Sequence, residues 1–251
     1  MMKTIRSVNE IFHAQKLAQS NPEKVWGWGT PAGRIRAVRR AEMIASRGQL
    51  MPGKYVLEIG CGTGMFTEMF AKTGARLIAV DISADLLEIA RRRRLSRESV
   101  QFIEKRFEEC DVDGPFDAVI GSSVLHHLDL EASLSRIYDL LKPGGCMSFA
   151  EPNMLNPQIM MQKNIPVIKK RLGDSLDETA FVRWVFSGQL LNTGFEEIDI
   201  IPFDWLHPAT PEKLIHAVSR IGRLLESIPV VREFSGSLYI RCRRPKDPPL
   251  K

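Results

Sequence analysis

The sequence predicts a doubly wound α/β fold, a mostly parallel sheet with helices on both faces, and three observations predict it. The apolar run at 56–59 feeds directly into three glycines, Gly60, Gly62 and Gly64, and an amphipathic segment follows over 65–72. That order reads as strand, tight turn and helix, because glycine lets backbone approach where any Cβ would collide. A second apolar run, at 77–80, ends in Asp81, at the separation of about twenty residues where a carboxylate meets ribose hydroxyls in such sheets. Strand-like apolar runs then alternate with helical periodicity to residue 153, the pattern of a parallel sheet.

Taken in order, residues 1–52 form an N-terminal helical cap whose clearest element is the basic stretch 34–40. Residues 53–251 form the main domain, with a first half at 53–153 and a second at 154–251. Strands are expected near 54–59, 76–80, 100–103, 116–120 and 145–150, and helices near 64–73, 83–94 and 130–141. Lys142-Pro143-Gly144-Gly145 marks a helix-to-strand turn. After an insertion late in the sheet, a helix near 178–192 stops at Gly194, and strands follow near 196–202 and 236–243. Leu214, Ile215, Val218, Ile221, Leu224, Leu225 and Ile228 recur at helical spacing, so 211–228 is an amphipathic helix packed on the sheet or the cap. The tail over 245–251 is expected to fray.

A chain of 251 residues that is 44% hydrophobic and 26% charged is ordinary for a soluble globular protein. Cys61, Cys110, Cys146 and Cys242 form no Cys-x-x-Cys pair, so they read as thiols in a reducing cytosol, and no metal site is expected. The first residues lack the continuous apolar core of a signal peptide. No apolar run approaches the roughly twenty residues that span a bilayer, so the expected location is cytoplasmic. A net charge of +5 mildly favours an anionic partner. The run Arg91, Arg92, Arg93, Arg94 reads as the solvated end of a helix, where cations are favourable.

The glycine turn is not that of a dinucleotide site, whose third glycine would fall at 65, where this chain has Met65. Glu58, just before the turn, would repel a pyrophosphate and attract a ligand bearing ammonium and sulfonium groups. S-adenosylmethionine has both, and a ribose for Asp81. From about 54 to 151 the chain resembles class I S-adenosylmethionine-dependent methyltransferases, most nearly the ubiquinone/menaquinone-methyltransferase type. The matching pieces are VLEIGCGTG, AVDIS, FDAVIGSSVLHHL and LLKPGGCMSFAEPN. The resemblance implies a Rossmann-like sheet whose last strand runs antiparallel beside the fifth. It also implies that Glu58 and the backbone of Gly60, Cys61, Gly62, Thr63 and Gly64 hold the methionine end. Asp81 would bind the ribose, and Ile82 would stack on the adenine. The family usually has Gly-Asp at the adenine edge, whereas this chain reads Lys105-Arg106-Phe107. Arginine offers the adenine amino group no acceptor, so backbone at Arg106 and Phe107, or a carboxylate of Glu104 or Glu108, would take that contact.

Ligands of open α/β sheets bind beyond the carboxyl ends of the strands, where strand order reverses. The loop 121–129, with Ser122, His126, His127 and Asp129, and the segment Glu151-Pro152-Asn153 therefore face the methyl donor. The loop carries no Asn/Asp-Pro-Pro-aromatic sequence of nucleic-acid amino-methylating enzymes, and Cys110 and Cys146 follow no proline, which disfavours covalent catalysis on cytosine. Methyl transfer needs in-line placement, and a general base where the nucleophile arrives protonated. His127 is the first candidate, then His126 and Glu151, with Asp129 also in position. The paired histidines alternatively cap the following helix or brace the cofactor loop. The acceptor site is expected from Trp26, Trp28, the arginines at 34–40 and the Met-rich stretch 154–170, with Trp184 and Trp205 as further walls.

The leading reading is a methyltransferase acting on a small or medium-sized metabolite, at oxygen or nitrogen before carbon, with an anionic or lipid-linked acceptor suiting the arginines. An RNA or protein methyltransferase is the alternative if the cap arginines, 169–171 and 241–244 join into one basic surface. A regulatory module that binds the cofactor without methylating is a third reading, and a nicotinamide oxidoreductase a distant fourth. Oligomeric state is left open.

Overall fold

The computed structural model describes residues 11–12, 14–15, 18–165, 167–168 and 179–246. The strands are β1 (Tyr55–Ile59), β2 (Arg76–Asp81), β3 (Val100–Glu104), β4 (Phe116–Ser122), β5 (Leu141–Pro152), β6 (Glu196–Phe203) and β7 (Ser237–Arg243). They form one seven-stranded sheet in the order β3-β2-β1-β4-β5-β7-β6. The first five pair in parallel, and β7 runs antiparallel to both of its neighbours. The doubly wound sheet and the antiparallel last strand are as expected.

Side chains alternate across the central strands, and both faces are buried, which is why these strands read as continuous apolar runs. Leu57, Ile59, Val119 and Phe149 lie in one core cluster with Leu134, Ile137, Phe186 and Leu190. Those last four belong to α5 (Leu130–Leu140) and α7 (Arg183–Thr193). Val56, Leu77, Ile120 and Tyr239 lie in the other cluster with Ile44 and Phe70, which come from α2 (Pro31–Arg47) and α3 (Met65–Ala71). The layer of α2 belongs to the cap region, so the cap shares the main core. The chain leaves β1 toward β2 on one side and reaches β5 through β4 on the other, so the strand order reverses between β1 and β4.

Four expectations are adjusted. Lys142 to Gly145 is not a turn ahead of a strand but a bulge within β5: Phe116 pairs with Leu141 and Ala118 with Cys146, so the extra residues loop out. The helix expected from 178 begins at Arg183, and it stops at Gly194 with φ +101, a left-handed position that suits glycine. The amphipathic helix is α8 (Glu212–Glu226), and it packs on the cap: Ile215 clusters with Ala32 and Leu206, and Arg39 grips Glu226 through two hydrogen bonds. Three short helices were not anticipated, α1 (Pro22–Val25), α6 (Pro157–Asn164) and α9 (Pro229–Arg232). Residues 247–251 of the tail expected to fray, and the basic residues at 169–171, fall outside the described residues. No helix among the described residues is long and apolar enough to cross a membrane.

The arginine run is the clearest correction. The helix after β2, α4 (Ala84–Arg91), ends at the first of the four, and Arg92 makes only an exposed pair with Glu88. Arg93 instead donates to the Thr63 carbonyl at 2.7 Å and to Glu68 at 2.6 Å, and it pairs with Glu23 of α1. Glu23 also accepts from the Thr63 hydroxyl at 3.0 Å. One guanidinium thus ties the cap, the glycine turn and α3 together. Replacing it removes several part-buried charged hydrogen bonds, about 2 kcal/mol. Arg93→Ala is expected to lower the melting temperature by roughly 4–8 °C for a chain of this size, and Arg92→Ala by about 1 °C or less; thermal unfolding of the two variants checks the contrast.

Candidate active site

The turn after β1 is built by backbone that no side chain could replace. Gly60 has φ +66, and a Cβ there would lie 2.3 Å from Val124 Cγ2. The amides of Gly60 and Cys61 donate to the Val80 carbonyl. The Gly62 amide donates to Asp81 Oδ2 at 2.7 Å, and the Ser83 amide to Oδ1 at 2.9 Å. Each carboxylate oxygen keeps a lone pair beyond these bonds. Burial raises the Asp81 pKa above its ordinary value, and the Ser83 and Gly62 amides offset this only in part.

Not every turn residue meets the same fate. Gly60, Cys61, Gly62 and Thr63 line a cavity of about 820 Å³, together with Asp81 and Ile82. That size lies high in the range of about 300–1,000 Å³ for small-molecule sites. Gly64 is the left-handed N-cap of α3, behind the wall. Glu58 is also behind the wall: it is buried, its Oε2 has no hydrogen-bond partner, and burial pushes its pKa up to about 8. Burial also pushes the Cys61 thiol well up, which makes it an inert small residue rather than a nucleophile.

The loop after β4 is held by one carboxylate. Glu151, fully buried at the end of β5, accepts from the Val124 amide at 2.9 Å and the Leu125 amide at 3.0 Å through Oε1. Its Oε2 lies 2.7 Å from His126 Nδ1. Burial alone would raise the Glu151 pKa, but the hydrogen bond and charge of His126 and the two amides outweigh it, so the carboxyl sits below its usual range. An ionised Glu151 makes Nδ1–H the donor and leaves Nε2 as the basic ring atom. The His126 and His127 rings lie with centroids 4.1 Å apart, tilted by 39°, and both line the cavity. Glu151 does not line it; it stands behind His126, which it contacts at Nδ1.

Where the adenine edge was expected, Lys105, Arg106, Phe107 and Glu108 line the cavity, whereas Glu104 does not. Arg106 turns its guanidinium to Glu108 and Glu109, each at 3.2 Å. Opposite, the cap supplies Trp26, Trp28, Arg36 and Arg40. The Trp26 ring sits 3.4 Å from where a Cβ of Gly62 would be, so the indole lies against the turn. Trp184 is 56% exposed and Trp205 packs against Gly222; neither lines the cavity. From 154–170, Ile159, Gln162 and Lys163 of α6 do. Ser122 lines it too, and its hydroxyl lies 3.4 Å from Arg40. Among the described residues no cluster of ligating side chains could hold a metal ion.

Residues 56–145 match the family described as a methyltransferase domain. They span the glycine turn, Asp81 and the histidine loop. Over residues 56–145 the chain is therefore similar to methyltransferase domains. Over 156 residues the chain is 31% identical to a ubiquinone biosynthesis O-methyltransferase of Xanthomonas campestris, covering 59% of this chain and 65% of that one. It is 28% identical over 146 residues to the malonyl-[acyl-carrier protein] O-methyltransferase of Serratia marcescens, covering 57% of this chain and 55% of that one. The matches thus span only about half to two thirds of these curated relatives. The crystal structure of the N-methyltransferase NodS from Bradyrhizobium japonicum, in complex with S-adenosylhomocysteine, superposes with a TM-score of 0.63 at 18% identity, covering 94% of this chain and 99% of that one. This likeness shows that the two chains share a fold.

The parts of Arg93 and Glu23 in bracing the turn were not legible in the sequence, and Arg40 was expected only as one of the arginines at 34–40 on the acceptor side. A signal existed for Arg40 alone: it sits in the stripe Gly33, Ala37, Ala41 and Ile44, which is buried in α2, so its spacing places it inward. Glu58 yields a pH dependence. The unfolded chain loses the Glu58 proton near 4.5, whereas the folded protein holds it to about 8. Folding therefore takes up a proton between these values, and this group lowers stability progressively as pH rises through that window. Glu58→Gln removes the effect. Its melting temperature is expected to equal that of the parent near pH 4 and to exceed it by on the order of 5 °C at pH 8, as measured by calorimetry.

Proposed function

We propose that the protein transfers the methyl group of S-adenosylmethionine to a hydroxyl of a small or medium-sized acceptor. The observation that carries this reading is one continuous cavity lined by the glycine turn and Asp81, by His126 and His127, and by the cap. The backbone of Gly60, Cys61, Gly62 and Thr63 would hold the methionine end, with Glu58 and Gly64 shaping the turn from behind. The spare lone pairs of Asp81 suit the ribose hydroxyls. Ile82 and Phe107 suit the adenine faces, and Glu108 supplies the acceptor that Arg106 lacks. When bound, the cofactor supplies an electrophilic methyl group on sulfur.

The residues of this chain then have little chemistry left to do beyond placement and proton transfer. His126, oriented by Glu151, takes the proton of the acceptor hydroxyl at Nε2, and the buried carboxylate stabilises the imidazolium that forms. His127 lies beside it on the cavity wall, its ring tilted against that of His126. The cap at 22–47 closes the acceptor side together with α6, while β6 and β7 complete the sheet and α8 supports the cap. An oxygen acceptor accords with the O-methyltransferase names of the curated relatives. A cytoplasmic setting suits four free, buried thiols.

The arginines do not favour a nucleic-acid surface. Arg36, Arg39 and Arg47 pair with Asp204, Glu226 and Asp199. Arg241 and Arg243 pair with Glu197, and Arg244 is spent on main-chain carbonyls around the end of α5.

Isotopically labelled methyl donor, incubated with the protein and a cell extract, is expected to label the small-molecule fraction; label confined to RNA or protein refutes the reading. Asp81→Ala is expected to weaken S-adenosylmethionine binding about tenfold or more by calorimetry, because it loses ribose contacts and slackens the turn. His126→Ala is expected to lower kcat roughly 10²–10³-fold while the cofactor Kd stays within about twofold; equal losses in both would make the ring structural.

A further inference from the structure

Arg40 is only 2% exposed, yet it lines the cavity. Its Nη1 donates to the Ser123 hydroxyl at 2.9 Å and the Ala150 carbonyl at 3.2 Å, and its Nη2 donates to the Ser237 hydroxyl. All of these partners are neutral, and its Nε makes no hydrogen bond. The neighbouring charges are already engaged. Arg36 is held by Asp204 at 2.8 Å, Arg39 by Glu226, and Glu151 by two amides and His126. Among the described residues no carboxylate touches Arg40. A buried charge without a counterion is costly to keep. Burial and the Arg36 charge lower the Arg40 pKa to about 10, which leaves it cationic at neutral pH. The Trp28 ring lies with its centroid 5.2 Å from both guanidinium carbons, Arg36 and Arg40. An aromatic wall thus adjoins a fixed positive charge that Asp204 and Glu151 offset only from a distance, without touching it.

We infer that Arg40, with the Ser123 and Ser237 hydroxyls beside it, is the anchor for a carboxylate on the methyl acceptor, whose ring or chain lies against Trp28. This rests on the methyltransferase reading of the same cavity and narrows its substrate class to hydroxylated acids. The guanidinium is pre-set by neutral donors and acceptors, so little ordering remains when the acid binds.

The test compares 3,4-dihydroxybenzoate with its uncharged amide, 3,4-dihydroxybenzamide, by calorimetry on the full chain with S-adenosylhomocysteine bound. The acid is expected to bind about tenfold or more tighter than the amide, the difference of one charge-assisted contact in a buried site. Arg40→Met is expected to erase that preference while the S-adenosylhomocysteine Kd stays within about twofold, and Arg40→Lys to restore part of it. Equal binding of acid and amide by the parent protein overturns the inference, as does an Arg40→Met variant that loses both dihydroxy ligands and S-adenosylhomocysteine alike. If Arg40→Met does not fold, the acid-to-amide ratios of the parent and Arg40→Lys decide, and a ratio near one overturns it. Failure of the parent to bind S-adenosylhomocysteine at all defeats the methyltransferase reading instead, so the two failures are distinguishable.

Discussion

The Asp81 carboxylate is the tie on which the site depends. It joins the Gly62 amide, in the turn after β1, to the Ser83 amide, at the start of α4. Two loops that leave adjacent parallel strands are thereby fixed relative to each other by one side chain. Each oxygen uses one lone pair for the protein and keeps another. The same group therefore builds the turn and presents acceptors to whatever lies in the cavity. This double duty explains why an acid tolerates so buried a position at the end of an otherwise apolar strand.

A second carboxylate does the corresponding work across the strand-order reversal. Glu151, on β5, reaches under the loop after β4 and holds two amides and an imidazole. The two acids are held differently, and their pKa values move apart. Asp81 and Glu58 are raised by burial, whereas Glu151 is lowered because a histidine and two amides favour its ionised form. The cavity is therefore flanked by an acid that keeps its proton near neutrality, Glu58, and by one that surrenders it, Glu151. That division follows from which backbone amides each side chain meets.

Much of the fold was legible because local chemistry and long-range structure agree. Glycines at 60, 62 and 64 and the apolar runs on either side specify strand, turn and helix without outside help, and Asp81 falls at the only end of β2 where it is useful. The bulge in β5 was misread, since Lys142-Pro143-Gly144-Gly145 carries the chemistry of a turn, and only pairing of Phe116 with Leu141 keeps the strand going. The arginine run shows the same limit in the site. Arg92 and Arg93 are neighbours of one residue type, and what separates an exposed helix end from a three-way clasp is the arrival of Glu23 from seventy positions away. The burial of Glu151 behind His126 is likewise a tertiary fact, because a motif places both on the same cleft without saying which stands in front.

Trp26 and Trp28 are two of the four tryptophans in the chain, and both stand on the cavity wall, Trp26 against the glycine turn and Trp28 beside two guanidinium groups. An indole's emission responds to the polarity and charge around it. Half of the intrinsic fluorophores of this class therefore sit where a ligand arrives, and the protein carries its own optical gauge of occupancy with no dye attached.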